Sequence, residues 1–256
     1  MHQKDRLQLT DRLQLIVRCV VIAGAVASVT PGAAAGLELI ASTQWGGFYV
    51  GAQLGGAWSA SDWRFSNSNY FNTLGPKLVG TEFDHDASGV IGGGQVGFNY
   101  QLGVWVVGIE GSAAGADLRD SIQSPFFPGF DTYTTNVSWL TTVTGRVGFT
   151  QGRMLAYAKG GWAGADIRLN LYEPNTAIRA ISTQWSDGWT VGGGLEYALG
   201  PRLSLAGEYA YVGLDTGGWS LACSGCGSGV GHGRPVVDGE IAIQSVTARL
   251  NYRVGG

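Results

Sequence analysis

The chain has 256 residues and 43 glycines, and because glycine costs about 1 kcal/mol relative to alanine inside a helix, the composition excludes a helical bundle. Charged residues make up only 14 % and aromatic residues 11 %, which excludes a disordered polymer. The formal net charge of -3 excludes the strongly basic surface that binds nucleic acid. We therefore expect extended chain that is buried in a core or in lipid.

The first 35 residues have the pattern of a cleaved secretory signal. Four basic residues come first, and they are Lys4, Arg6, Arg12 and Arg18. An apolar stretch follows over 19–27, and the three alanines at 33–35 have the small-residue form that signal peptidases cut. We expect cleavage after Ala35, so that residues 36–256 form one exported domain.

Alternation of apolar and polar residues predicts β-strands along the exported domain. In residues 189–199, for example, Trp189, Val191 and Leu195 share one face, whereas Glu196 lies on the other. The same pattern predicts eight strands, at about 47–58, 88–100, 104–116, 137–150, 154–168, 187–199, 203–214 and 240–254.

The connectors between these strands alternate between short and long. The short ones cover 101–103, 151–153 and 200–202, and the long polar ones cover 59–87, 117–136, 169–186 and 215–239. An even number of strands, each longer than the about 9 residues that cross a bilayer, with this asymmetry of connectors is typical of an outer-membrane barrel. The predicted fold class is all-β: an eight-stranded antiparallel up-and-down transmembrane β-barrel with short periplasmic turns and four long external loops.

Several aromatic residues lie on the apolar faces of the predicted strands and near the strand ends. In membrane proteins, Trp and Tyr prefer these positions because they lie at the two lipid interfaces. Those near the short turns are Phe98, Tyr100, Trp105, Phe149, Tyr197 and Tyr252. Those near the long loops are Trp58, Trp139, Trp162 and Trp189. We expect the first group to form an inner girdle around the barrel and the second group to form an outer girdle.

Glycine-rich strand motifs carry a resemblance to a known family. They are WGGFYVG at 45–51, GGQVGFNY at 93–100, GIEG at 108–111, TGRVG at 144–148, AYAKGG at 156–161, GGGLEY at 192–197 and EY at 208–209. Together they resemble the small eight-stranded outer-membrane barrels of the alphaproteobacterial porin-like and immunogenic surface-antigen type. The resemblance implies a cell outer-membrane location and a structural or surface-antigen role. Such barrels usually end in an aromatic residue, whereas this sequence ends in Gly255 and Gly256.

An outer-membrane location implies three sets of partners: outer-membrane lipid and lipopolysaccharide, the barrel-assembly machinery, and a possible external ligand at the loops. Aromatic residues in the first two predicted loops indicate such a contact surface. They are Trp63, Phe65, Tyr70, Phe71, Phe126, Phe127, Phe130 and Tyr133.

Six charged residues lie on the polar faces of the predicted strands, which we expect to point into the lumen. These are Glu110, Arg146, Lys159, Glu196, Glu208 and Arg249. An eight-stranded barrel is just wide enough for its interior side chains to fill. Because buried charges of opposite sign must pair or suffer desolvation, we expect a plug of salt bridges and little steady conductance. The alternative is a charged selectivity constriction in a wider barrel.

Other motifs indicate no catalytic, cofactor or metal site. The glycines at 92–97 match the dinucleotide pattern G-x-G-x-x-G, but no helix follows them, so they are interpreted as strand glycines. Cys223 and Cys226 form a C-x-x-C, for which we expect a local loop disulfide, with a redox pair or half of a metal site as alternatives.

We therefore expect a structural and surface-interaction barrel that contributes to envelope integrity and external contacts. The alternative is a narrow porin, or a barrel that binds a haem-like or host molecule through its external loops. A membrane lipid enzyme is the third interpretation, and Ser88 near His85 is its only local hint of a nucleophile beside a base. We expect no enzymatic activity.

Overall fold

The computed structural model describes residues 44–67, 82–123, 132–173, 178–220, 222–224 and 236–254. It contains eight long strands and one short strand. They are β1 (Gly47–Asn67), β2 (Glu82–Leu102), β3 (Trp105–Gln123), β4 (Thr132–Gln151), β5 (Met154–Glu173), β6 (Ile178–Ala198), β7 (Leu203–Ser220), the short β8 (Ala222–Ser224) and β9 (Val236–Val254). Within these ranges, no helix is long and apolar enough to cross a membrane.

The eight long strands close into a single antiparallel ring. Each strand from β1 to β6 pairs with the next one along the chain, and β7 pairs with β9. The ring closes because β9 also pairs with β1, from Phe48 opposite Val254 up to Asn67 opposite Val236. The predicted fold class, a closed eight-stranded antiparallel β-barrel, is confirmed.

Two of the short connections are tight turns that depend on glycine. Gly103 joins β2 to β3 with a φ of 62°, and Gly152 joins β4 to β5 with a φ of 59°. Residues with a Cβ rarely adopt this left-handed conformation, whereas glycine adopts it at little cost. The third short connection, between β6 and β7, is closed by the Leu199 amide, which donates to the Leu203 carbonyl at 2.9 Å.

The strands extend beyond their predicted ends at the side of the long connections. β3 and β4 leave only residues 124–131 between them, and β5 and β6 leave only 174–177, where the sequence predicted connectors of about twenty residues. The apolar alternation marks only the part of each strand that faces lipid or core. Backbone pairing continues past it because both faces can be polar where a strand is in water.

The last two strands before the closure diverge near the long connections. Register pairs between β6 and β7 end at Gly188 opposite Leu214, whereas β7 continues beside β9. The short strand β8, which the sequence did not predict, pairs instead with β6 over Arg179–Ile181.

Candidate functional site

Side chains fill the lumen of the barrel in three layers. The charged layer consists of the six predicted lumen residues, Glu110, Arg146, Lys159, Glu196, Glu208 and Arg249. The apolar layer lies on its long-connection side, and the tryptophan layer lies on its short-turn side. Along β5, for example, Leu155 belongs to the tryptophan layer, Lys159 to the charged layer and Ala163 to the apolar layer.

The centre of the charged layer consists of two carboxylates that share two cations. Lys159 Nζ lies 3.0 Å from Glu110 Oε1 and 2.6 Å from Glu208 Oε1. Arg249 Nη2 lies 2.8 Å from Glu110 Oε1, and its Nη1 pairs with Glu208 Oε2. These residues come from β3, β5, β7 and β9, so three of the four ion pairs join strands that are not neighbours in the ring, and the pair of Arg249 with Glu208 joins the neighbouring strands β9 and β7.

A third acid and base lie beside this centre. Arg146 Nη2 donates to Glu196 Oε2 at 3.1 Å. The other oxygen of Glu196 accepts hydrogen bonds from Ser204 Oγ at 2.5 Å and Asn251 Nδ2 at 3.0 Å. The Arg146 guanidinium also lies over the Tyr157 ring, 4.1 Å from its centroid, which is the geometry of a cation–π contact.

Two buried tyrosines, which the sequence analysis did not identify, donate hydrogen bonds to two carboxylates of the charged layer. Tyr49 donates its hydroxyl proton to Glu110 Oε2 at 2.7 Å and accepts a bond from Arg146 Nη1 at 3.1 Å. Tyr157 donates to Glu208 Oε2 at 2.7 Å. Each hydroxyl therefore occupies a carboxylate oxygen that the cations leave incompletely bonded.

The position of each tyrosine depends on a glycine directly opposite it. Tyr49 faces Gly97 across β1 and β2, and Tyr157 faces Gly194 across β5 and β6. A Cβ at either glycine would collide with the tyrosine hydroxyl. An inward tyrosine paired with an inward glycine is therefore the sequence signal that identifies these residues.

The charged layer is electrically balanced and withdrawn from water. It contains three carboxylates and three cations, and all six residues are buried. Taking ions out of water costs several kcal/mol each, so such groups are stable only when paired and hydrogen bonded. The arrangement can hold strands together, but its charges neutralise one another and leave little field to attract an ion.

The apolar layer closes the long-connection half of the described lumen. Its members are Ala57, Ala87, Ile91, Ala114, Leu118, Val137, Leu140, Ala163, Ala165, Ile167, Val212, Leu214, Ile241 and Ile243. Each of them exposes between 0 and 8 % of its surface. The sequence analysis missed this layer because these stretches carry apolar or small residues on both faces of the strand, and parity then gives no sign of which face points inward.

The tryptophan layer closes the short-turn end. It consists of Trp45, Val106, Leu155, Tyr157 and Ala198. Trp45, just before β1, is held by its backbone: its amide donates to Gln101 Oε1 at 2.6 Å, and its carbonyl accepts from Asn99 at 3.2 Å. The guanidinium of Arg253 lies over the Trp45 ring, 5.0 Å from its centroid.

All ten predicted girdle residues point outward and are exposed. They are Phe98, Tyr100, Trp105, Phe149, Tyr197 and Tyr252 towards the short turns, and Trp58, Trp139, Trp162 and Trp189 towards the long connections. Two further residues that the sequence analysis did not assign join them. Phe48 packs on Phe98 with ring centroids 4.8 Å apart, and Trp185 stacks on Trp162 at 6.4 Å.

The remaining predicted positions lie wholly or partly outside the described residues. Cys223 falls in β8, but Cys226 lies outside the described residues, so the loop disulfide stays a prediction. The loop aromatics have side chains outside the described part of the chain. Among the residues that are described, no group of three His, Cys, Asp or Glu side chains is placed to hold a metal ion.

Comparison with known proteins gives one family. The model of the outer membrane protein beta-barrel domain matches residues 20–253. The chain is 30 % identical over 213 residues to the 31 kDa outer-membrane immunogenic protein of Brucella melitensis biotype 1, which covers 82 % of this chain and 83 % of the relative. The protein of the same name from Brucella suis biovar 1 gives the same values.

One solved structure shares the fold at low sequence identity. The outer membrane protein OprG of Pseudomonas aeruginosa aligns with a TM-score of 0.52 and 12 % identity. The alignment covers 83 % of this chain and 100 % of OprG.

Proposed function

Because the chain belongs to the outer membrane protein beta-barrel domain family and lies in the outer membrane, we propose that it is a sealed structural barrel. It contributes to the integrity of the envelope and presents its external connections to the surroundings of the cell. Steady transport of solutes through the lumen is not part of this function.

The observation that carries this proposal is the stacking of three different obstructions in one lumen. An ion that enters from outside meets the apolar layer, where desolvation opposes it. An ion that enters from the periplasm meets the Trp45 ring, over which the Arg253 guanidinium lies. Between them lies the charged layer, whose charges are paired with one another. It therefore offers a permeating ion no unpaired charge to bind on its way through the lumen.

The surface role is supported by the relatives. The proteins of Brucella melitensis and Brucella suis are named as outer-membrane immunogenic proteins, which fits exposure at the cell surface. We take the partners of this chain to be outer-membrane lipid, lipopolysaccharide and the barrel-assembly machinery. We assign no catalytic step to the charged layer, because each of its carboxylates is ion-paired inside the barrel.

The test is the conductance of the refolded chain in a planar lipid bilayer. We expect a quiet baseline from the wild-type protein. A matched positive control combines W45A, R146A, K159A and L118A, which together thin all three layers, and heat-modifiable migration on gels verifies that both proteins are folded. Steady conductance of the wild type comparable to that of the combined variant would overturn the proposal.

A further inference from the structure

A patch of tryptophans and charged residues lies on the outer wall of the barrel at the external end. We define the patch as Trp139, Asp166, Arg168, Trp185 and Asp187. Trp139, Asp166 and Trp185 lie opposite one another in a row across β4, β5 and β6. Arg168 lies two residues further along β5, towards the long connections.

One ring of the patch, that of Trp185, is held in place by packing. Trp185 stacks on the girdle residue Trp162, with centroids 6.4 Å apart and planes 26° apart. Both rings lie over Gly164, where a Cβ would collide with them. Trp185 Nε1 donates to Asp187 Oδ1 at 3.0 Å, and Arg168 Nε donates to Thr183 Oγ1 at 3.3 Å. Trp185, Asp187 and Arg168 are therefore preorganised, and these three side chains lose little conformational entropy on binding.

Among the side chains that the structure describes, the patch is exposed and one-sided. Trp185 exposes 49 % of its surface and Trp139 exposes 54 %. On the opposite wall, the outer-girdle residue Trp58 lies between Ser88 and Gln244 in the register, with no tryptophan on either neighbouring strand position. Exposed aromatic surface of this density marks a contact site, and its confinement to one wall exceeds what a uniform girdle requires.

The level of the patch relative to the membrane narrows the class of ligand. Trp162 and Trp189, directly opposite each other, belong to the outer girdle at the lipid interface. Arg168 follows Trp162 by six residues on β5, which is about 20 Å along an extended strand. The patch therefore spans the zone immediately above the acyl chains, where lipid head groups lie.

The chemistry of the patch matches a phosphorylated sugar. A sugar ring presents an apolar C–H face, which stacks on an indole, and a rim of hydroxyl groups, which donate to carboxylates such as those of Asp166 and Asp187. The guanidinium of Arg168 is suited to a phosphate group, which it can bind through two parallel hydrogen bonds. We propose that this patch binds the phosphorylated sugar head group of lipopolysaccharide in the outer leaflet, an inference that rests on the lipopolysaccharide contact of the proposed function.

The experiment measures how much lipopolysaccharide the full-length refolded protein retains. The protein is held in bicelles of phosphatidylglycerol with deep-rough lipopolysaccharide, and native mass spectrometry counts the bound molecules. We expect W185A and R168A each to lower the apparent affinity by about three- to ten-fold, the range of a single stacking or charged contact. W58A is the matched control, since it removes an outer-girdle tryptophan from the other wall, and we expect it to retain the wild-type affinity.

A conservative variant and a second probe separate site binding from other causes. W185F keeps a flat aromatic face, so we expect it to recover most of the affinity that W185A loses, while heat-modifiable migration verifies folding of every variant. Equal losses in W185A and W58A, or none in either, would overturn the proposal in favour of a general interfacial role. Binding of a soluble core oligosaccharide as tight as that of the lipid would also overturn it, because the occupant would then be a free glycan.

Discussion

The two halves of the lumen are closed by opposite means. In the charged layer, a few long side chains such as Glu110 and Arg249 reach across the axis and meet in pairs. In the apolar layer, short side chains such as Ala163 and Ile243 line the wall and pack against one another, and neighbouring buried hydroxyls such as that of Thr216 bond to the backbone. The comparison teaches that one barrel can be sealed both by directed bonds and by close packing, and that the two seals fail in different ways when a residue is removed.

The largest effect is expected from removing one acid of the charged layer. E110Q leaves Lys159, Arg249 and Tyr49 without the carboxylate that they share, and breaking a buried ion pair from one side costs about 3–5 kcal/mol. Urea unfolding in lipid bicelles measures the loss. The exposed residue Glu240 supplies the control, and a loss in E110Q no greater than that in E240Q would show that the directed bonds do not hold this half together.

The next effect is expected in the apolar layer. L118A removes a side chain that is 1 % exposed and leaves a cavity, so we expect the free energy of unfolding to fall by about 2–4 kcal/mol. L54A removes the same atoms from a lipid-facing position that is 63 % exposed. If L54A destabilises the barrel as much as L118A in the same unfolding assay, packing inside the lumen is not what stabilises this half.

A smaller effect is expected from the tyrosine hydroxyls. Y49F keeps the ring beside Gly97 but removes the donor to Glu110 and the acceptor for Arg146, which we expect to cost about 1–3 kcal/mol. Y100F changes an exposed hydroxyl on the same barrel and serves as the control. Stability of Y49F equal to that of Y100F would mean that the ion pairs of the charged layer need no help from the hydroxyl.

The smallest effect is expected on conductance when one seal alone is opened. W45A removes the ring of the tryptophan layer, but the charged and apolar layers remain, so we expect no steady current in a planar bilayer. The same reasoning applies to R146A with K159A. Steady current from W45A alone would show that the two inner layers are permeable and that their seals are not redundant.

The charged layer could be predicted from the sequence because an ionisable residue in a membrane-spanning strand must face the lumen and not the lipid. All six of its residues could be placed in this way, and the ten girdle residues could be placed by the same rule on the other face. The ion-pair partner of each charged residue could not be predicted, because pairing across the lumen depends on the register and tilt of strands that are far apart in the sequence.

Other lumen residues and the strand extensions could not be predicted from the sequence, for physical reasons. Tyr49 and Tyr157 belong to a residue type that also favours the lipid interface, so their type alone does not separate the lumen from the girdles. Trp45 precedes β1, where strand alternation has not yet begun. Stretches such as Ala163 to Ala165 are apolar on both faces of the strand. The strand ends near the long connections, for example the start of β4 at Thr132, lack the alternation of apolar and polar residues that predicts a strand.

The position of Arg249 on the last strand links the electrostatics of the lumen to the order of synthesis. The strands before β9 supply the three acids Glu110, Glu196 and Glu208 but only two of the bases. A chain that lacks β9 thus carries one uncompensated negative charge in its charged layer as well as open edges on β1 and β7. Closure of the barrel and neutralisation of the charged layer are therefore one event, which favours addition of the final strand electrostatically.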